Sequence, residues 1–321
     1  MLAVLVCAPA AAEKLTFGDI AGAVVQVHSE IKEGARTARS LGLERAGNGV
    51  VIDKDGLILT IGYLIMESKS VSVVTQAGRK VPARFVAYDH PTGFGLIRAD
   101  SSLGIRPIAL GESASVVAGT PLLALSAAGQ QPFTPVRAVS RRTFAGYWEY
   151  LLDSAIFTMP VHGQYGGAAL VDLQGNLVGI GSLFINDALE PGQPAPGNMF
   201  VPIDLLKPIL DRLIHSGRSG QPARPWLGVY TAEAEGRIIV NRVATGGPGE
   251  TAGMKPGDII VGIGGRRVAN MADLFRKVWS TGKAGVDVSL DVLPMNAGNL
   301  DIKKVVIHSR DRRQWLRLDE K

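Results

Sequence analysis

Two stretches of this chain carry the same device, and that device narrows the fold more than any other feature. Gly49-Val-Val-Ile-Asp53 is followed by Lys54-Asp55-Gly56 and then by Leu57-Ile-Leu-Thr60. Ala169-Leu-Val-Asp172 is followed by Leu173-Gln-Gly175-Asn and then by Leu177-Val-Gly-Ile180. Each pair of short apolar runs is separated by a turn containing glycine, which is the signature of a β-hairpin. Val24-Val-Gln-Val-His28 alternates, and Val71–Val74, Ala83–Val86 and Leu122–Leu125 add further strands. Many short strands with frequent turns, from about residue 23 to 181, predict an all-β sandwich or a pair of barrels. Residues 29–46 are polar and aperiodic and read as a long mobile loop.

A different pattern begins at residue 202. In Pro202–His215 the residues Leu205, Leu206, Ile209, Leu210 and Leu213 recur at helical spacing, which predicts a helix. The Gly/Ser/Pro-rich stretch 217–224 reads as a linker. Beyond it, residues 225–309 alternate strand, strand, Gly/Pro loop, strand, helix (Met271–Trp279) and two strands, a small α+β module. At roughly 150 residues per domain, 321 residues also point to two domains. Residues 310–321 carry Arg310, Arg312, Arg313, Arg317 and Lys321 and read as a solvated basic tail.

Composition excludes several classes. The chain is 46% hydrophobic and 20% charged, which rules out a disordered chain or a multispanning membrane protein. Its net charge of +5 is too small to imply a nucleic-acid partner. Cys7 is the single cysteine, so neither a disulfide framework nor a cysteine metal site is available. The five histidines show no ligand spacing, and no metal or cofactor is expected. Residues 1–12 are apolar and end in Ala10-Ala11-Ala12, like the core and cleavage site of a secretory signal. The expectation is an exported, periplasmic chain, cysteine-free once matured and without stable membrane insertion.

Gly47-Asn-Gly-Val-Val-Ile-Asp-Lys-Asp-Gly-Leu-Ile-Leu-Thr60 resembles the opening of the catalytic domain of the HtrA/Deg-type serine proteases. The resemblance continues in Ala87-Tyr-Asp-His-Pro-Thr-Gly-Phe-Gly-Leu-Ile97 and in Gly163-Gln-Tyr-Gly-Gly-Ala-Ala-Leu-Val-Asp172. Arg224-Pro-Trp-Leu-Gly-Val229 and Val243–Ile260 resemble that family's PDZ domain. The resemblance implies a mainly β chain: a trypsin-like double six-stranded β-barrel over residues 13–216, followed by a small α+β PDZ domain over 225–309.

The chemistry that the resemblance implies does not survive at the residue level. The mechanism needs a serine nucleophile, a histidine base and a carboxylate that orients the base. In the family the histidine follows the Leu-Thr strand end by three positions; here that position is Tyr63. The aspartate follows an Asp-Pro-x-Thr run; here Asp89-His90-Pro91-Thr92 leads to Gly93. The serine sits in Gly-Asn-Ser-Gly-Gly; here Gly163-Gln164-Tyr165-Gly166-Gly167 carries a tyrosine. A phenol with a pKa near 10 needs an activating base as serine does, and none is supplied. Losing such a triad costs on the order of a million-fold in turnover. No catalytic residue is therefore expected, and Gly163 and Gln164 read as a vestigial oxyanion turn. Tyr63 and Tyr165 are expected to meet across the cleft as an aromatic plug. His90 and His162 are the remaining candidates for non-standard activity; both also read as loop histidines with local hydrogen bonds.

PDZ domains add an extended chain end to a sheet edge and hold its carboxylate on backbone N–H groups. By resemblance the carboxylate loop is Trp226, Leu227, Gly228 and Val229, and Leu274 and Val278 line the facing helix. The expected partners are proteins or peptides, an active protease or misfolded clients among them, with a homotrimer implied by the family. The resulting reading is an exported pseudoprotease acting as a scaffold, chaperone-like binder or protease regulator. The alternative is a serine-type endopeptidase of periplasmic quality control, active through non-standard residues.

Overall fold

In the computed structural model, residues 15–295 and 301–319 are described; the expected signal segment, with Cys7, lies outside them. The first barrel comprises β1 (Val24–Ile31), β2 (Glu44–Val51), β3 (Leu57–Ile61), β4 (Ser68–Val74), β5 (Lys80–Tyr88) and β6 (Phe94–Ala99). It closes in the order β1-β2-β3-β6-β5-β4. The second comprises β7 (Pro121–Leu125), β8 (Phe133–Gly146), β9 (Tyr150–Met159), β10 (Ala169–Val171), β11 (Leu177–Ile185) and β12 (Gly197–Pro202). Its order is β10-β11-β12-β9-β8-β7, also closed. Closure removes free sheet edges and leaves each interior to be filled by inward-facing side chains. Phe94, Leu96 and Ile97 of β6 are buried in one apolar cluster, and Leu170, Ile156 and Phe200 of the second barrel in another.

The paired hairpin devices form as read. Asp53 accepts bonds from the Asp55 and Leu57 amides, and Asp172 does the same for Gln174 and Asn176. Gly56 (φ +75°) and Gly175 (φ +85°) take the left-handed conformation that glycine adopts at little cost.

Two expectations need correction. Residues 29–46 are not a long loop: β1 runs to Ile31, β2 starts at Glu44, and a helical turn, Ala38–Leu41, lies between. The segment shows no hydrophobic period because polar bonds anchor it. Glu67 accepts from the Arg36 and Thr37 amides, and buried Arg45 donates to the carbonyls of Tyr63 and Met66. The helix expected over Pro202–His215 forms only at Leu210–Ser216, because Pro208 lacks an N–H and disfavours helical geometry before it. Gly217 ends it in a left-handed cap, its amide bonded to the Leu213 carbonyl.

The third unit is a sheet of β13 (Val229–Ala234), β14 (Arg237–Val243), β15 (Ile259–Ile263), β16 (Arg266–Arg267), β17 (Asp287–Leu293) and β18 (Lys303–His308). Its path runs β13-β14-β15-β17-β18, with β16 paired to β15. A helix over Met271–Ser280 packs Leu274, Phe275 and Val278 onto it. Asn270 caps that helix by accepting from the Asp273 amide.

The basic C-terminal stretch is docked rather than solvated. Trp315 and Leu316 are buried, and the Trp315 ring lies 4.5 Å from that of Trp226. Arg313 reaches the Tyr88 carbonyl in the first barrel. The aromatic and leucine residues among the arginines fix this segment against both neighbours.

Candidate functional site

The fold brings Tyr63, Gly93 and Tyr165, the positions that the resemblance assigns to the triad, to one place. A 3-10 turn after β3 presents Tyr63. Gly93 ends the Asp89–Thr92 turn, and its carbonyl accepts from the Gly62 amide at 2.7 Å. Tyr165 sits on the turn before β10. All three line a cavity of about 250 Å³ where the two barrels meet Tyr230 and Arg242 of the third unit and Arg312.

Tyr63 and Tyr165 do not form the expected ring-on-ring plug. The Tyr63 hydroxyl instead donates to the Ser182 carbonyl on β11 at 2.9 Å. Burial pushes its phenol well above the ordinary range, and the neighbouring Tyr165 adds to the shift. A neutral, donating phenol is neither a base nor a nucleophile.

The side chain that occupies the space beside Gly93 comes from elsewhere. A Cβ on Gly93 would lie 2.9 Å from the Tyr150 hydroxyl. That hydroxyl donates to the Thr92 carbonyl at 2.7 Å. Tyr150 in turn stacks on Trp148, with ring centroids 5.3 Å apart and planes 15° off parallel. The Asp89 carboxylate is engaged by the amide and hydroxyl of Thr92, within its own turn.

The turn that would carry a nucleophile is held from beneath by buried Asn48. Its side-chain nitrogen donates to the carbonyls of Gln164 (2.8 Å) and Gly166 (3.1 Å), and its oxygen accepts from the Ala127 amide at 2.9 Å. Gly167 (φ +73°) packs so closely that a Cβ would sit 1.9 Å from the Asn48 carbonyl oxygen. Gly163 has neither constraint; nothing lies within 4 Å of the Cβ it lacks.

Neither histidine is placed for catalysis. Arg312 contacts both ring nitrogens of His90, and desolvation together with Arg312 holds that ring neutral, well below its usual range. His162 is buried, bonds to the Thr134 hydroxyl at 2.9 Å, and is likewise shifted down by burial. Among the described residues, no group of three or more His, Cys, Asp or Glu is arranged to hold a metal. No helix among them is long and apolar enough to cross a membrane.

The carboxylate loop holds the largest departure from the sequence reading. The amides of Leu227, Gly228 and Val229 converge, with Gly228 at φ +71°. They converge on a side chain: Glu149, at the tip of the β8–β9 hairpin. Its Oε1 accepts from Gly228 (2.7 Å) and Val229 (3.1 Å), and its Oε2 from Leu227 (2.9 Å). Trp226 takes no part; its amide bonds to the Arg310 carbonyl and its ring packs on Trp315. Leu274 and Val278 are buried rather than open to a groove, in one apolar cluster with Leu151 from β9.

Sequence reasoning missed Glu149, Tyr150 and Asn48. The tip Tyr147-Trp148-Glu149 has no Gly, Asn or Asp to mark a turn, and Glu149 itself takes the left-handed position (φ +59°). Its partners lie almost eighty residues away, beyond the reach of any local pattern.

Burial lifts the Glu149 carboxyl from 4.5 to about 7, against the lowering effects of the three amides and Arg312. The folded protein therefore holds this proton more tightly than the unfolded chain. Stability is full below about pH 4.5 and falls as pH rises towards 7, by about 3 kcal/mol at 1.36 kcal/mol per unit. Urea unfolding at pH 5 and pH 8 should show this loss, and Glu149→Gln should flatten it; an unchanged slope in Glu149→Gln would contradict the assignment.

Known proteins share this order of domains. Residues 47–180 match the trypsin-like peptidase domain model, and residues 225–297 match the PDZ domain model. A probable periplasmic serine endoprotease DegP-like of Rhizobium meliloti is 25% identical over 303 residues, covering 83% of this chain and 57% of that protein. The serine endoprotease DegS of Salmonella typhimurium is 24% identical, covering 80% and 76%. The chain thus spans little more than half the length of the first of these relatives. Among solved structures, the HtrA-type protease AlgW with a decapeptide superposes with a TM-score of 0.53 at 20% identity, over 92% of this chain and 98% of that one. A serine endoprotease from Yersinia pestis gives 0.51 at 21% identity, over 93% and 99%. The chain therefore carries a trypsin-like peptidase domain followed by a PDZ domain, and over most of its length it is similar to HtrA/Deg-type proteases of that same arrangement.

Proposed function

We propose that this chain is a catalytically silent member of its family, a pseudoprotease that binds protein C-termini or unfolded segments through its PDZ module. One observation carries the reading: the triad positions hold Tyr63, Gly93 and Tyr165, and the space beside Gly93 is taken by the Tyr150 phenol. No group there can take a proton from a nucleophile at neutral pH. Binding is supported by the convergent amides of Leu227–Val229, which accommodate a carboxylate, and by the AlgW structures solved with peptides. The roles that follow are scaffold, chaperone-like binder or regulator of an active protease. Export to the periplasm and homo-oligomeric assembly belong to the same reading, in keeping with relatives named as periplasmic.

The purified protein is expected to leave casein intact and to resist labelling by a serine-reactive fluorophosphonate. Labelling that persists in Tyr165→Phe would reveal a different nucleophile and sink the pseudoprotease reading. Affinity capture from a periplasmic fraction should bring down a protease or misfolded clients, and capture should weaken when the Leu227–Val229 loop is altered.

A further inference from the structure

Three observations describe the contact between the β8–β9 hairpin and the PDZ module, and together they have the chemistry of a bound ligand. The Glu149 carboxylate accepts from the three consecutive amides of Leu227, Gly228 and Val229. The Tyr147 carbonyl accepts from the Thr231 amide of β13 at 3.1 Å, a main-chain bond of the kind that an added strand makes. Leu151 is buried in the apolar cluster that also holds Leu227, Val229, Leu274 and Val278. Carboxylate, backbone and apolar side chain are thus all supplied from within the chain.

We propose that the β8–β9 hairpin is a tethered ligand that fills the peptide site in cis, so that an external C-terminal carboxylate binds only by displacing Glu149. The inference rests on the peptide-binding reading above and adds its regulation. Glu149 sits in a left-handed backbone conformation that costs a glutamate free energy unless its surroundings hold it there. A displaced tip is therefore free to relax. Because the site is taken, measured affinity falls by the fraction of molecules in which the tip is out. Trp148 and Tyr150, which flank the tip residue Glu149, line the cleft beside Gly93. The ligand class is a protein chain ending in a free carboxylate next to an apolar side chain.

The test uses the full chain and a pool of fluorescein-labelled decapeptides with free C-termini, the last two positions varied over apolar residues. An amidated pool serves as the control. Fluorescence anisotropy should show weak binding to the native protein and at least about tenfold tighter binding to Glu149→Ala, in the carboxylate pool alone. Glu149→Gln, which keeps the side-chain volume, should fall between them and covers the case in which the alanine variant folds poorly. Hydrogen exchange at the amides of residues 227–229 should quicken in both variants. Equal, carboxylate-dependent binding by native and variant proteins would overturn the tether while leaving peptide binding intact. No carboxylate-dependent binding by any of them, with those amides freely exchanging in Glu149→Ala, would overturn the peptide-binding reading and the tether with it.

Discussion

Tyr165→Ser is expected to restore no proteolysis, and the triple variant Tyr63→His, Gly93→Asp, Tyr165→Ser is expected to remain inactive on casein as well. The single variant gains a hydroxyl without a base, and members of a triad act as a unit, so one of three recovers almost none of the roughly million-fold effect. The triple variant fails for a reason visible only in three dimensions. A Cβ at position 93 would lie 2.9 Å from the Tyr150 oxygen, and the carboxylate beyond it would have to enter the space that the phenol fills. The phenol does not yield freely, because it is buried, bonded to the Thr92 carbonyl and stacked on Trp148. Overpacking together with the left-handed backbone at position 93 should cost about 2–4 kcal/mol in urea unfolding of Gly93→Asp alone. A triple variant cleaving casein within a hundredfold of a family member with an intact triad would show that the cleft is merely unoccupied chemistry, not a rebuilt site.

Gly167→Ala is expected to abolish folding or to cost more than about 4 kcal/mol, whereas Gly163→Ala should lie within about 0.5 kcal/mol of the native protein. Both glycines belong to the Gly163–Gly167 stretch that resembles the nucleophile motif of the HtrA/Deg-type proteases. At Gly167 the new methyl would stand 1.9 Å from the Asn48 carbonyl oxygen, with φ at +73°. Moving Asn48 away would break its bonds to Gln164, Gly166 and Ala127, which tie the turn to both barrels. Each buried group left unpaired adds about 1–3 kcal/mol. At Gly163 the space is open and the backbone ordinary. Comparable thermal melts for the two variants would refute this division. The motif therefore mixes a packing requirement at Gly167 with a position, Gly163, that the fold itself does not constrain.

Much of the architecture was legible locally. The Asp53–Gly56 and Asp172–Gly175 turns announce their own hairpins, because a short acidic side chain and a left-handed glycine act over three or four residues. The strands β15 and β18 follow from short apolar runs, and the Met271–Ser280 helix from helical spacing, in the same way. The longest hairpin, β8–β9, was not legible, because its strands carry Arg141, Arg142 and Thr143 where an apolar alternation would be needed. Arg142 there lies over the Phe157 ring at 3.8 Å, so its burial depends on a cross-strand neighbour.

By itself the sequence determined which functional groups stand at three positions of the cleft. Identity at Tyr63, Gly93 and Tyr165 fixes the functional groups, and no arrangement of phenols and glycine supplies a base near neutral pH. The sequence also determined the two kinds of module, since hydrophobic period and turn chemistry are properties of neighbouring residues. Only the tertiary structure decided what fills the two sites. Tyr150 comes to rest beside Gly93, and Glu149 reaches three amides nearly eighty residues further along the chain. A carboxyl group and an amide loop pair by hydrogen-bond geometry whatever their separation in sequence, and that distance is set by how the barrels and the PDZ module pack.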